Sequence, residues 1–207
     1  MKLLKIIVLV ALVAVPALAQ RGADQLTGLS WHIGIPAGQM SNFMDKTSYG
    51  GFGVEFRRFL DENTSLGGSF SWNMWSLQTN EVIPIKNGAV GGTQIRYYNV
   101  LPLLLNGHYY FGEVGQDIRP YVGLNIGAYV VYQRLDIGIY TMDNDQWHFG
   151  LAPEAGFLWQ MDARTHIMIA ARYNYAFDAG ETLGGKDDNS IAYLGINLGV
   201  AWTTGWF

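Results

Sequence analysis

The 207-residue chain contains no cysteine, so neither a disulfide framework nor a thiolate metal site is open to it. Charge is scarce as well. Only 14% of residues are Asp, Glu, Lys or Arg, and no basic cluster occurs, which excludes the electrostatic footprint of a nucleic-acid binder. Beyond the N-terminus no segment reaches the roughly 18 uninterrupted apolar residues of a helical membrane span. The greasiest, NVLPLLL at 99–105, is broken by Pro102. If the remainder of the chain enters a membrane, it has to do so as a closed β-barrel, the other architecture that satisfies every backbone polar group in lipid.

The N-terminus reads MKLLK, then an apolar run over 6–15, then Pro16-Ala17-Leu18-Ala19 before Gln20. A basic start, a short apolar stretch and an Ala-x-Ala site predict a secretory signal peptide over 1–19, with one domain over 20–207. The run is too short to span a bilayer, and no cysteine follows the cut to carry a lipid. Loss of Lys2 and Lys5 leaves 11 bases against 17 acids and takes the net charge from −4 to −6.

What the chain has in abundance is alternation. Eight segments repeat apolar and small or polar residues with period 2: 26–35, 49–59, 65–77, 95–111, 119–133, 147–160, 165–177 and 190–202. In THIMIAARYNYAF, at 165–177, Ile167, Ile169, Tyr173 and Phe177 share one parity and Arg172 takes the other. Leu29, Trp31, Ile33 and Ile35 form the apolar face of the first segment, and Leu194, Ile196, Leu198, Val200 and Trp202 that of the last. The connections after the second, fourth and sixth segments are short, and the others are roughly two to three times longer.

This pattern predicts an all-β fold, an eight-stranded antiparallel up-and-down transmembrane β-barrel. It would have short periplasmic turns, four long extracellular loops and both termini in the periplasm of a Gram-negative cell envelope. A soluble lipocalin-like cup would invert the molecule and bind a ligand with its greasy face. The second faces argue against it, because they carry Gly, Ser, Asn, Tyr and Ala with few charges. Aromatics also flank the apolar stripes, with Phe56, Phe111, Trp159 and Trp202 toward the short turns and Phe52, Trp72, Tyr132 and Phe177 toward the long loops. That is the placement of interfacial girdles.

Residues 35–72, IPAGQMSNFMDKTSYGGFGVEFRRFLDENTSLGGSFSW, resemble the opening hairpins of the small outer-membrane β-barrel proteins of the OmpA/OmpX type. In that family a Pro-x-Gly turn ends the first strand, a Gly-rich second strand follows, and a short Asp/Asn turn leads to Ser-Leu-Gly. RPYVGLNIGAYV (119–130) and FGLAPEAGFLW (149–159) look like later strands of the same family. The resemblance covers nearly the whole mature chain and implies the fold more than an activity. Two departures stand out. Phe207 is terminal yet out of phase with the even-numbered lipid face of the last strand, and Pro102 removes a ladder donor inside the fourth, where a bulge or weak pairing is expected.

Four strand-borne charges share the inward parity: Glu55, Arg57, Glu154 and Arg172. A short turn centred near residue 163 pairs Glu154 with Arg172 and Phe157 with Ile169 across the ladder. An eight-stranded barrel has an interior only wide enough for side chains, so its charges must pair. The four are expected to form a structural network closing the lumen, with Asn125, Asn174, Tyr121 and His108 beside it. A gated polar pathway is the competing use.

No metal site or other cofactor is expected, since His32, His108, His148 and His166 show no ligand spacing. Neither DNDQ (143–146) nor KDDN (186–189) has an EF-hand pattern. Val100, Pro102 and Leu104 put an apolar patch on the inward face, read as filler rather than as a hydrophobic-solute path of the OmpW kind. The sequence therefore predicts a non-enzymatic outer-membrane barrel, structural or interacting with a surface partner through its loops. Its other partners would be outer-membrane lipid and lipopolysaccharide. A narrow porin-like channel and, behind it, a lipid A-modifying enzyme are the alternatives.

Overall fold

Val, Ile, Leu, Phe and Trp recur at every second position, and that period cannot be buried by a helix but can line one face of a pleated strand. The computed structural model describes residues 25–85, 88–177, 183 and 190–204. The expected signal peptide and Phe207 lie outside them. The strands are β1 (Gln25–Ala37), β2 (Ser48–Phe59), β3 (Thr64–Ile85), β4 (Gly88–Tyr110), β5 (Ile118–Ile137), β6 (Tyr140–Gln160), β7 (Thr165–Ala176) and β8 (Ile191–Thr204). One short helix, α1 (Met40–Phe43), lies between β1 and β2.

Each strand pairs antiparallel with the next, and β8 returns to β1 from Gln25↔Thr204 to Ala37↔Ala192, closing the barrel. Closure removes the sheet edges that lipid cannot satisfy.

The direction of the apolar face decides between a ligand-binding cup and a membrane barrel. Leu105 is 68% exposed, Phe149 58% and Leu124 53%, whereas Arg57 and Asn125 are 0% exposed. The greasy stripe is on the outside. Along β6 from Trp147 to Trp159, a strand rising about 3.3 Å per residue and tilted by about 40° climbs about 30 Å. That height suits the hydrocarbon layer of a bilayer.

Two of the four expected long loops are not loops. β3 pairs with β2 only between Phe59↔Ser65 and Phe52↔Trp72, yet stays paired with β4 out to Ile85↔Gly88. β6 pairs with β7 as far as Gly150↔Ala176, yet stays paired with β5 out to Ile137↔Tyr140. Above the ring, β3 to β6 therefore continue as a four-stranded sheet. The β5–β6 turn places Gly138 at φ +59°, a conformation that glycine adopts without steric cost and a tight hairpin requires.

Pro102 leaves a gap in the β3–β4 ladder between Phe70↔Leu103 and Asn73↔Val100, with the register unchanged on either side. Its other edge stays paired, Pro102 facing Tyr129. The missing N–H thus weakens one seam without inserting a bulge. The register shift that does occur lies in β1, between His32 and Gly34.

Candidate functional site in the barrel lumen

The inward residues stack in three layers. Toward the short-turn end, Leu26, Phe59, Tyr110, Tyr121, Leu158 and Met168 pack together. Toward the long-loop end, Trp75, Tyr98, Val100, Leu104, Tyr129 and Tyr193 form a second cluster, which Met40, Phe43 and Met44 join from α1 and its C-terminal cap. Between them lies a polar layer that holds all four charges singled out from the sequence.

Glu55 and Arg57 stand two residues apart on β2 and so share the inward face. Glu154 and Arg172 are direct partners across the β6–β7 ladder. β2 and β6 are four strands apart in a ring of eight, so they form opposite walls. The charges bridge them in a closed cycle of alternating sign. Arg57 Nη2 lies 2.8 Å from Glu55 Oε1 and 3.2 Å from Glu154 Oε1. Arg172 Nε lies 2.5 Å from Glu154 Oε2, and Arg172 Nη2 lies 3.7 Å from Glu55 Oε2.

Neutral groups complete the cycle. Arg57 donates to the hydroxyls of Tyr110 (2.8 Å) and Tyr121 (3.1 Å), with its guanidinium 4.4 Å from the centre of the Tyr121 ring. Asn125 Nδ2 donates to Glu154 Oε2 at 3.3 Å, and His108 Nε2 sits 3.6 Å from Glu154 Oε1. Asn174 lies at the margin, donating to the Arg172 carbonyl at 3.3 Å and accepting from Tyr129 at 3.2 Å. Glycine makes room for this crowd, since a methyl at Gly123 would collide with the His108 ring.

The other histidines are dispersed. His148 bonds the Phe177 carbonyl and Gln146 at 2.8 and 3.1 Å. His32 meets Ser30 at 2.8 Å, a contact that the sequence reading missed although both residues share an inward parity on β1. His32 is buried inside the barrel. Among the described residues no group of three or more His, Asp or Glu is placed to hold a metal ion.

The long-loop end is closed over by contacts that the sequence did not reveal. Arg96 donates to the Phe43 carbonyl at 3.2 Å and lies over the Phe43 ring. Gln39 Oε1 accepts from both the backbone and the hydroxyl of Ser190, at 3.1 and 2.9 Å, which ties the β1–β2 connection to the start of β8.

An apolar exterior of membrane height around a packed interior whose central charges pair across it defines the class, a small eight-stranded transmembrane β-barrel. Solved structures share the fold. The attachment invasion locus protein Ail of Yersinia pestis, in complex with the heparin analogue sucrose octasulfate, matches with TM-score 0.56 and 12% identity over 89% of this chain and 100% of that one. Ail determined alone gives TM-score 0.54 and 13% identity over the same shares of the two chains. Outer membrane protein W of E. coli gives TM-score 0.49 and 16% identity over 89% of this chain and 100% of that one. No protein-family model and no curated protein matches the sequence.

Proposed function

We propose that the chain resides in the bacterial outer membrane as a non-enzymatic barrel with a closed lumen, and that it acts at the cell surface through the segments above the bilayer. One observation carries this reading. The Arg57–Glu154 ion pair joins opposite walls of the barrel, and packed layers lie above and below it. Such a lumen serves as a rigid support, and the four-stranded sheet becomes the working part. Rigid scaffolds that present variable outer segments are a common way to place a binding surface.

The sheet does not suit a polysulfated ligand of the kind bound to Ail. Near its tip Asp136, Asp143 and Asp145 surround Arg134, whose guanidinium is already held by Asp136 at 3.0 Å. A second reading, a narrow channel for hydrophobic solutes, draws on the apolar upper lumen of Val100, Leu104, Val131 and Met44.

The absence of cysteine makes location and orientation directly testable. Ile139→Cys, at the sheet tip, is expected to react with a membrane-impermeant maleimide on intact cells. Glu62→Cys, in the β2–β3 turn, is expected to react only after the outer membrane is opened. Labelling of Glu62→Cys on intact cells, or protection of Ile139→Cys, would contradict this orientation.

A further inference from the structure

Where β2 rises to the rim, residues 46–50 and the outer faces of β3 and β4 enclose a groove of about 430 Å³. Lys46, Tyr49, Ser76, Tyr97 and Asn99 are among its walls. Its height on the barrel is fixed by two neighbouring tryptophans. Trp31 donates its indole N–H to the Tyr49 carbonyl at 2.6 Å, and Trp72 donates to Asn99 Oδ1 at 3.2 Å. Both indoles belong to the exposed aromatic girdle at the long-loop end. Indoles of this kind settle at the level of lipid headgroups, so the groove opens at that level too. From this level Phe52 and Trp72, packed edge to face at 5.8 Å, begin the lipid-facing stripe.

The wall chemistry is specific. Lys46 is exposed in the groove wall and presents an ammonium to an anion. The Asn99 carbonyl oxygen is taken by Trp72, which leaves the amide nitrogen as the donor for a ligand. Ser76 adds a hydroxyl, and Tyr49 and Tyr97 present exposed rings. Ser48 secures the segment by donating its hydroxyl to the Met74 carbonyl. A cation, a few neutral hydrogen-bonding groups and aromatic faces together suit a phosphate carried on a sugar ring better than either group alone.

We infer that this groove holds the phosphorylated saccharide headgroup of an outer-leaflet glycolipid, with its acyl chains running down past Phe52 and Trp72. Lys46 takes the phosphate, Asn99 and Ser76 bond the sugar hydroxyls, and Tyr49 and Tyr97 cover the ring. The inference rests on the outer-membrane reading above.

The test uses the full chain in phosphatidylcholine nanodiscs, titrated with rough lipopolysaccharide, with the same material after phosphatase treatment, and with phosphatidylglycerol. Tryptophan fluorescence follows binding. The wild type is expected to prefer intact lipopolysaccharide over both other lipids. Lys46→Ala and Tyr97→Ala should each weaken that binding by about tenfold, the scale of one charge-assisted contact, and phosphatase treatment should reproduce the Lys46→Ala loss. Ile139→Ala, at the distant tip, should bind as the wild type does. Undiminished binding by both rim variants, or equal binding of phosphatidylglycerol, overturns the inference. Failure of the outer-membrane reading would instead show in the maleimide labelling pattern, so the two can be told apart.

Discussion

Arg172 occupies the middle of a strand whose odd-numbered neighbours, Ile167, Ile169, Tyr173 and Phe177, belong to the apolar parity. Turned inward, it meets Glu154 within a neutral cycle of two acids and two bases. Burying these charges is tolerable only while each keeps its partners. Arg172→Leu is therefore expected to lower unfolding stability in lipid by about 3 to 5 kcal/mol, the typical cost of stranding one member of a buried pair. Arg172→Leu combined with Glu154→Leu leaves Arg57 with Glu55 and should recover most of that loss. A double-mutant cycle on urea unfolding measures the coupling, and simple additivity of the two single losses would contradict a working pair. These four residues were legible in the sequence because strand parity assigns a direction and charge is rare enough to stand out. The Glu154–Arg172 register followed from the short β6–β7 turn. The bond from Arg57 across to Glu154 was not legible, because it depends on which walls face each other after closure, and local periodicity carries no such information.

At the scale of elements, the strands crossing the bilayer were readable and those leaving it were not. An alternating pattern appears only where one face meets lipid. Residues 78–85 and 88–94 lie beyond the alternating segments, and they continue β3 and β4 in ladder pairing out to Ile85↔Gly88. α1 escaped for a related reason, since four residues are too few to show a helical period. Its apolar side chains nevertheless cap the upper lumen. Phe43→Ala should cost about 3 kcal/mol by leaving a cavity against Tyr98, whereas Ile139→Ala at the sheet tip should cost almost nothing. Equal effects of the two changes would deny α1 its place in the core. The short turns carry a pH signature of their own. Asp61 accepts from the backbone N–H groups of Asn63 and Thr64, at 2.8 and 2.7 Å. Asp162 does the same with Arg164 and Thr165, at 2.8 and 2.9 Å. Those bonds hold both carboxyls below their ordinary value of 3.8. A carboxyl with a depressed folded-state pKa stabilises the protein above its unfolded value, and the benefit fades as pH falls through the folded one. Asp61→Ala and Asp162→Ala should therefore unfold more easily than wild type at pH 6, with the gap closing below about pH 3.8. A gap that persists undiminished to pH 2 would rule out this role.

For the molecule as a whole, the division of labour is between a wall that faces lipid, an interior whose central acids and bases pair with one another, and a sheet that rises above the ring. The first two follow from one rule, period-2 alternation, applied around a closed ring of eight. The third emerges only from the pairing. The central claim is that the polar cycle and the packed layers on either side of it leave no path through the barrel. Single-channel recording in planar bilayers tests this most directly. The purified wild-type chain is predicted to insert without producing discrete conductance steps. Reproducible openings whose size or frequency changes in Arg172→Leu would contradict the account and favour a channel.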